Sequence, residues 1–300
     1  VQEVHAAYIA AGAETLTTNS YALVPFHIGE ERFRARAGEL AALAGKLARQ
    51  AVTASGKNVT IAGSLPPLFG SYRPDLFDPA RAAEIARPLI DGQAPYTDLW
   101  LAETQSSIAE VRALHALTAR DRPFWASFTL EDEPPAEPPR LRSGETVAAA
   151  VAAALELKLD ALLFNCSHPE AMTAALKTAR ATIDAAGSAM RLGVYANAFA
   201  AHGTDEEALP ANDGLDEIRT DLTPTLARGG CGYHWRLLWR WSGTHRRTCR
   251  VARTKRLTKN TRWHLATPHQ KTQPEAAFFN KRRLAPKLTL PSVPCKAAAN

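Results

Sequence analysis

The sequence predicts an α/β fold of the (β/α)8 TIM-barrel type, incomplete, with six strand–helix units and with the first and eighth strands missing. Three observations carry this expectation. Short, near-continuous apolar runs recur along residues 1–225, as expected for strands covered on both faces. Each is followed by an Ala/Leu/Glu/Arg-rich stretch with helical spacing, and strand–helix repetition over such a length means a parallel sheet. Polar residues also gather just past several strand ends, at Asn19, Ser64, Glu103, Cys166 and Asn197, the habit of a barrel whose site is spread over many strands. No G-x-G-x-x-G follows any strand, which argues against a dinucleotide-binding sheet.

In chain order, the predicted strands are TLTTN (15–19), VTIAG (59–63), LWLAE (99–103), FWASF (124–128), ALLFN (161–165) and RLGVY (191–195). Helices are predicted over roughly 29–55, 78–91, 105–119, 143–157 and 168–185. Ser167 reads as the N-cap of the last, with Pro169 in its first turn and Glu170 completing a capping box. Ser143 reads as a similar start for the helix before it. Four prolines and four acids in residues 131–140 (EDEPPAEPPR) make that stretch a loop, read as a solvated connector in preference to a lid. Six strands fall short of the eight that close such a barrel.

A chain of 300 residues, 46% apolar and 22% charged, is long enough to bury a large core. No run of about 18 apolar residues exists, so no spanning helix and no membrane partner are expected. Four cysteines (166, 231, 249 and 295) without repeating spacing do not make a secreted disulfide framework, and a reducing cytoplasm is the expected location. The net charge of +6 hides two unlike parts. Residues 226–300 hold 17 of the 36 Lys+Arg and one of the 30 Asp+Glu, which leaves 19 and 29 in residues 1–225. The split is therefore −10 against +16, and four of the six tryptophans lie in the basic part. Residues 1–225 read as the barrel domain and 226–300 as a basic, Trp/Arg-rich, disordered tail.

Several motifs follow one another along the acidic part. They are His5-x-x-Tyr8-x-x-Ala11-Gly12-Ala13, Thr17-Thr18-Asn19-Ser20-Tyr21, Ala62-Gly63-Ser64-Leu65-Pro66-Pro67, Trp100-Leu101-Ala102-Glu103-Thr104 and Asn165-Cys166-Ser167. This ordered set, over about residues 1–225, resembles the homocysteine S-methyltransferase family. The resemblance implies a barrel that binds zinc through three cysteine thiolates and moves a methyl group onto homocysteine sulfur. Zinc would deprotonate that sulfur, because the thiolate and not the thiol is the nucleophile. Cys166 then matches the family's first zinc cysteine, although by itself a lone Cys after a buried strand is more often a small core residue. Glu103 matches the carboxylate that receives the substrate amino group, its other reading being an acid at a helix N-terminus. Asn19 and Ser64 would line the same mouth, or serve as turn and capping residues. His5 reads as part of the first helix's face and His168 as part of a helix start.

Two departures from the family pattern stand out. The chain begins on the helix that follows the family's first strand, and the family's Gly-Gly-Cys-Cys-Gly strand is present only as the echo Gly229-Gly230-Cys231-Gly232. Cys231 is thus a weak second metal candidate. A shifted reading frame accounts for the tail better. Trp has the single codon TGG, so a one-base shift turns Trp235, Trp239 and Trp241 into glycine, and WRLLWRWSGTH can then read GGCCGVGPEHI. Residues from about 226 onward are accordingly read as a frameshifted read-through. The expected function is transfer of a methyl group from S-methylmethionine or S-adenosylmethionine to zinc-activated homocysteine, in a chain that is itself inactive because two zinc cysteines are lost. The alternative is a tail that binds nucleic acid without specificity through its positive charge; no specific nucleic-acid motif accompanies it. Resequencing the gene across codons 220–245 should uncover the glycine–cysteine motif in a neighbouring frame; its absence from every frame rules the shift out.

Overall fold

The computed structural model describes residues 1–132, 134–195 and the pair Tyr233–His234. The chain divides into two units, Val1–Val251 and Ala252–Asn300. All described residues belong to the first. The predicted boundary near 225 and the basic tail lie outside the described residues, Tyr233–His234 apart.

The six predicted strands are present as β1 (Thr15–Thr17), β2 (Thr60–Leu65), β3 (Leu99–Gln105), β4 (Phe124–Phe128), β5 (Ala161–Asn165) and β6 (Arg191–Tyr195). They pair in chain order, every pair parallel, into one curled sheet. A seventh strand, β7 (Tyr233–His234), lies parallel to β6 in the edge position that the sequence reading left empty. The helices are α1 (Gln2–Ala10), the single turn α2 (Pro25–Ile28), α3 (Glu30–Ser55), α4 (Ala82–Gln93), α5 (Ile108–Leu117), α6 (Val147–Glu156) and α7 (Pro169–Ala185). Among the described residues none is long and apolar enough to cross a membrane.

Strand alternation sorts the core into two layers. Trp100, Ala102, Phe124, Ala126, Phe128, Leu162, Phe164, Leu192 and Val194 face the helices and merge with their apolar sides into the main core. Ala62, Leu99, Leu101, Trp125, Ala161 and Leu163 form a second cluster on the inner face of the curl. Leu16, Val59 and Ile61 pack with Ile9 of α1 and Ala48, Ala51 and Val52 of α3 in a third. Both faces are therefore covered, which explains the near-continuous apolar runs. Gly63 allows the closest approach in β2, since a Cβ there would stand 2.7 Å from the Trp100 ring and 3.0 Å from Thr97 Cγ2.

A buried glutamine ties the first strands together. From the end of α4, Gln93 Oε1 accepts from Thr18 Oγ1 (2.5 Å) and Ser20 Oγ (3.1 Å), while Nε2 donates to the Ser64 and Leu89 carbonyls, each at 3.1 Å.

The helix starts differ in detail from the sequence reading. Helix α7 begins on His168 with Pro169 at its first position, and His168 makes no side-chain cap bond. The Ser167 hydroxyl is drawn inward instead, where it accepts from Leu130 N at 2.9 Å and donates to the Asn165 carbonyl at 3.1 Å. Helix α6 is capped by Thr146, which accepts from Ala149 N, while Ser143 Oγ donates to Glu145. The complete capping box is at α5, between Ser107 and Glu110. Nor is the proline-rich loop uniformly solvated. Asp132 is buried there, accepting from His168 N at 2.9 Å and pairing with Arg142 at 3.0 Å, and so fastens the loop to the start of α7.

Replacing Gly63 with alanine should destabilise the protein by about 2 kcal/mol, because neither the Trp100 ring nor Thr97 can retreat within a packed core. Urea denaturation of the variant measures it.

Candidate functional site

Parallel strands all point the same way, so residues at their C-terminal ends meet on one rim. Glu103 (β3), Ser64 (β2), Ser127 (β4), Asn165 and Cys166 (β5) and Tyr195 (β6) gather there. The Ser64 hydroxyl donates to Glu103 Oε1 in a short hydrogen bond. The Tyr195 hydroxyl donates to Glu103 Oε2 at 3.3 Å. Glu103 keeps some contact with solvent at the mouth, yet protein surrounds it closely enough that burial pushes its carboxyl up, against the opposing pull of the Ser64 and Tyr195 hydroxyls. Neutral hydroxyls as partners leave the carboxylate's charge uncompensated, which suits a site waiting for a cation.

The end of β3 is irregular. Ala102 stands opposite Ala126 and Gln105 opposite Phe128, so Glu103 and Thr104 together oppose Ser127 in a one-residue bulge. Thr104 takes φ 62°, the left-handed region, at a strain of about 1–3 kcal/mol for such a residue. The bulge turns Gln105 away from the inner face, where its Nε2 donates to the Leu65 and Glu103 carbonyls at 3.1 and 2.9 Å.

Cys166 follows β5 and is also left-handed, at φ 48°. Its sulfur accepts from Asn165 Nδ2 at 3.1 Å and is half-buried. Burial raises the thiol's pKa and the Glu103 charge adds to this, while hydrogen bonds from Tyr72, Asn165 and Thr104 oppose it. Tyr195 is raised well above its ordinary value, by burial first and then by the Glu103 and Cys166 charges, so it stays a neutral donor.

Ser64, Glu103 and Cys166, all singled out from the sequence, thus share one rim. Asn19 follows β1 and is exposed, whereas its neighbours Thr18 and Ser20 turn inward to Gln93. His5 is buried on α1, in keeping with a role on that helix's face. Asn197 and Cys231 lie outside the described residues. Tyr195, Ser127 and Asn165 carry no role in the sequence reading; each puts a polar group on the inward alternation in the last two residues of a predicted strand, and that position was the available signal.

Zinc held by three thiolates does not fit the side chains in view. Cys166 is the sole free cysteine among the described residues, and no group of three His, Cys, Asp or Glu among them could hold a metal ion.

A curled parallel strand–helix sheet with a carboxylate, hydroxyls and a thiol on its C-terminal rim places the chain in the class of α/β-barrel folds, as an incomplete barrel. The family model for homocysteine S-methyltransferase matches residues 1–235, and the chain belongs to that family. Among solved structures it is similar to the homocysteine methyltransferase MmuM from Escherichia coli in its oxidized form, with TM-score 0.60 and 24% identity over 77% of this chain and 76% of that one. An orotidine 5'-monophosphate decarboxylase from Methanocaldococcus jannaschii, complexed with the inhibitor BMP, aligns at TM-score 0.35 and 12% identity over 68% and 73% of the two chains. No curated protein matches the chain.

A carboxyl whose pKa is raised on folding penalises the folded state once ionised. The penalty is absent below the unfolded carboxyl's pKa of about 4 and grows as pH rises toward the raised folded value. Glu103→Gln should therefore stabilise the unliganded protein at neutral pH, with the gain vanishing as pH falls below about 4 in urea titrations.

Proposed function

We propose that this chain carries the homocysteine-recognition part of a homocysteine S-methyltransferase and, as it stands, binds homocysteine without methylating it. The carrying observation is the Glu103 carboxyl, held by the Ser64 and Tyr195 hydroxyls at a mouth shared with Cys166. An incoming ammonium would supply the positive counter-charge that Glu103 lacks, forming a charge-assisted bond in a desolvated setting. The Ser64 and Tyr195 hydroxyls hold both carboxylate oxygens in place for it. Cys166 would lie near the substrate's sulfur.

In the family's reaction the homocysteine sulfur forms a bond to the methyl carbon of a sulfonium donor. The donor's carbon–sulfur bond breaks, the donor leaves as a neutral thioether, and methionine results. S-methylmethionine or S-adenosylmethionine is the donor we favour. The attacking sulfur must first lose its proton. Asn165, Thr104 and Tyr72 stabilise a sulfur anion at Cys166, but burial outweighs them, so this thiol is no base for the substrate. Zinc would be the activator in the family. The sequence keeps the family's Gly-Gly-Cys-Cys-Gly strand only as Gly229-Gly230-Cys231-Gly232, which supports an inactive chain and leaves Cys231 as the second candidate ligand. A reduced Cys166 suits a reducing compartment, and we place the protein in the cytoplasm.

Titration calorimetry should find homocysteine binding that Glu103→Ala weakens by about tenfold or more, the size expected for a charge-assisted bond. Purified protein should carry well under one zinc per chain and form no methionine from homocysteine with either sulfonium donor. Methionine formation at an intact enzyme's rate overturns the inactive reading, and absence of homocysteine binding overturns the recognition reading.

A further inference from the structure

We propose that Asn165 is a positioning residue whose carboxamide clamps the bulge at the end of β3 and thereby sets where Glu103 points. Asn165 is fully buried and its amide is saturated. Oδ1 accepts from Thr104 N at 3.2 Å and from Ser127 Oγ at 2.6 Å. Nδ2 donates to Thr104 Oγ1 at 2.8 Å and to Cys166 Sγ at 3.1 Å. The Thr104 N–H is a fixed donor, so it also fixes which end of the amide faces it. The backbone N–H and the hydroxyl of Thr104 therefore both end on one side chain two strands away.

That grip answers a specific need. A threonine resists φ 62°, and left alone the strand would relax toward regular pairing. In regular alternation Thr104 would turn away from the inner face occupied by Asn165 and Ser127. The extra residue instead lets Glu103 and Thr104 both reach the mouth, and bulges next to sites commonly re-aim a side chain in this way. Because Glu103 is bonded directly to Thr104, a shift of the bulge moves its carboxylate away from Ser64 and Tyr195. Asn165 makes no hydrogen bond to Glu103 itself, whose carboxylate is held by Ser64 and Tyr195, so it acts through Thr104.

Two measurements test this, and the second rests on the homocysteine reading while the first does not. In urea unfolding, Asn165→Ala should lower the folding equilibrium constant far more in the wild-type background than in the Thr104→Gly background, since glycine adopts the left-handed turn unaided. A coupling of about fivefold or more supports the clamp, and additive effects overturn it. For recognition, Asn165→Ala should weaken homocysteine binding by about tenfold, yet change binding of γ-mercaptobutyrate, the same thiol acid without its amino group, by less than about twofold. Adding Thr104→Gly should restore the preference for the amine. Equal weakening of both thiols marks a merely structural residue and overturns the proposal. A wild-type chain that binds neither thiol removes the homocysteine reading, and the unfolding cycle then decides the clamp alone.

Discussion

A parallel sheet covered on both faces leaves one inexpensive place for polar side chains, the rim where its strands end. Everything distinctive about this protein follows from that constraint. Along their lengths β2 to β6 carry Ile61, Leu101, Trp125, Leu163 and Leu192, side chains that satisfy the core and offer no chemistry. At or near their C-terminal ends the same strands carry Ser64, Glu103, Ser127, Asn165 and Tyr195. Adjacent strands in a parallel sheet lie under 5 Å apart, about 4.8 Å, so five neighbouring ends bring five polar groups into one small neighbourhood without any loop having to fold over.

Two carboxyls enclosed by protein, Glu110 buried and Glu103 half-buried, show how environment separates a structural acid from a recognition acid. Burial raises both Glu103 and Glu110. Glu110 Oε2 accepts from Ser106 N, Ser107 N and Ser107 Oγ, between 2.7 and 3.0 Å, and in this way completes the start of α5. Two backbone N–H groups at a helix N-terminus are fixed dipoles that support negative charge whether or not a ligand arrives. Glu103 has two hydroxyls, which rotate and give less. One acid belongs to the fold, and the other keeps capacity in reserve.

Most of the architecture was legible in the sequence because period and burial agree. The runs at 124–128 and 161–165 became strands with the predicted bounds, and helix α3 ends at Ser55, where the spacing ended it. Ser64, Glu103 and Cys166 were legible because motif order placed them at strand ends. What remained hidden depends on partners remote in sequence. Asn165 looked like the last residue of an apolar run, and its four bonds reach to residues 104, 127 and 166. Ser167 looked like a cap because its neighbours fit the pattern, but Leu130 N, across the sheet, competes for the same hydroxyl. The bulge in β3 had no signature, since threonine is an unlikely residue for a left-handed turn. The Ser107–Glu110 box, by contrast, was spelled out as S-x-x-E and could have been read directly.

The knot around Gln93 bears on how the molecule comes apart. Strand β1 has three paired positions with β2, too few to hold a strand by ladder bonds alone. Thr18 and Ser20 reach past the ladder to a glutamine on α4, and that glutamine also grips the Ser64 carbonyl. Strand β1 is thus fastened to a helix as much as to its neighbouring strand. Local opening should accordingly release β1 and the end of α4 as one cooperative piece, with hydrogen-exchange protection at Thr18 and Ser64 tracking that of the helix and exceeding what an edge strand would show.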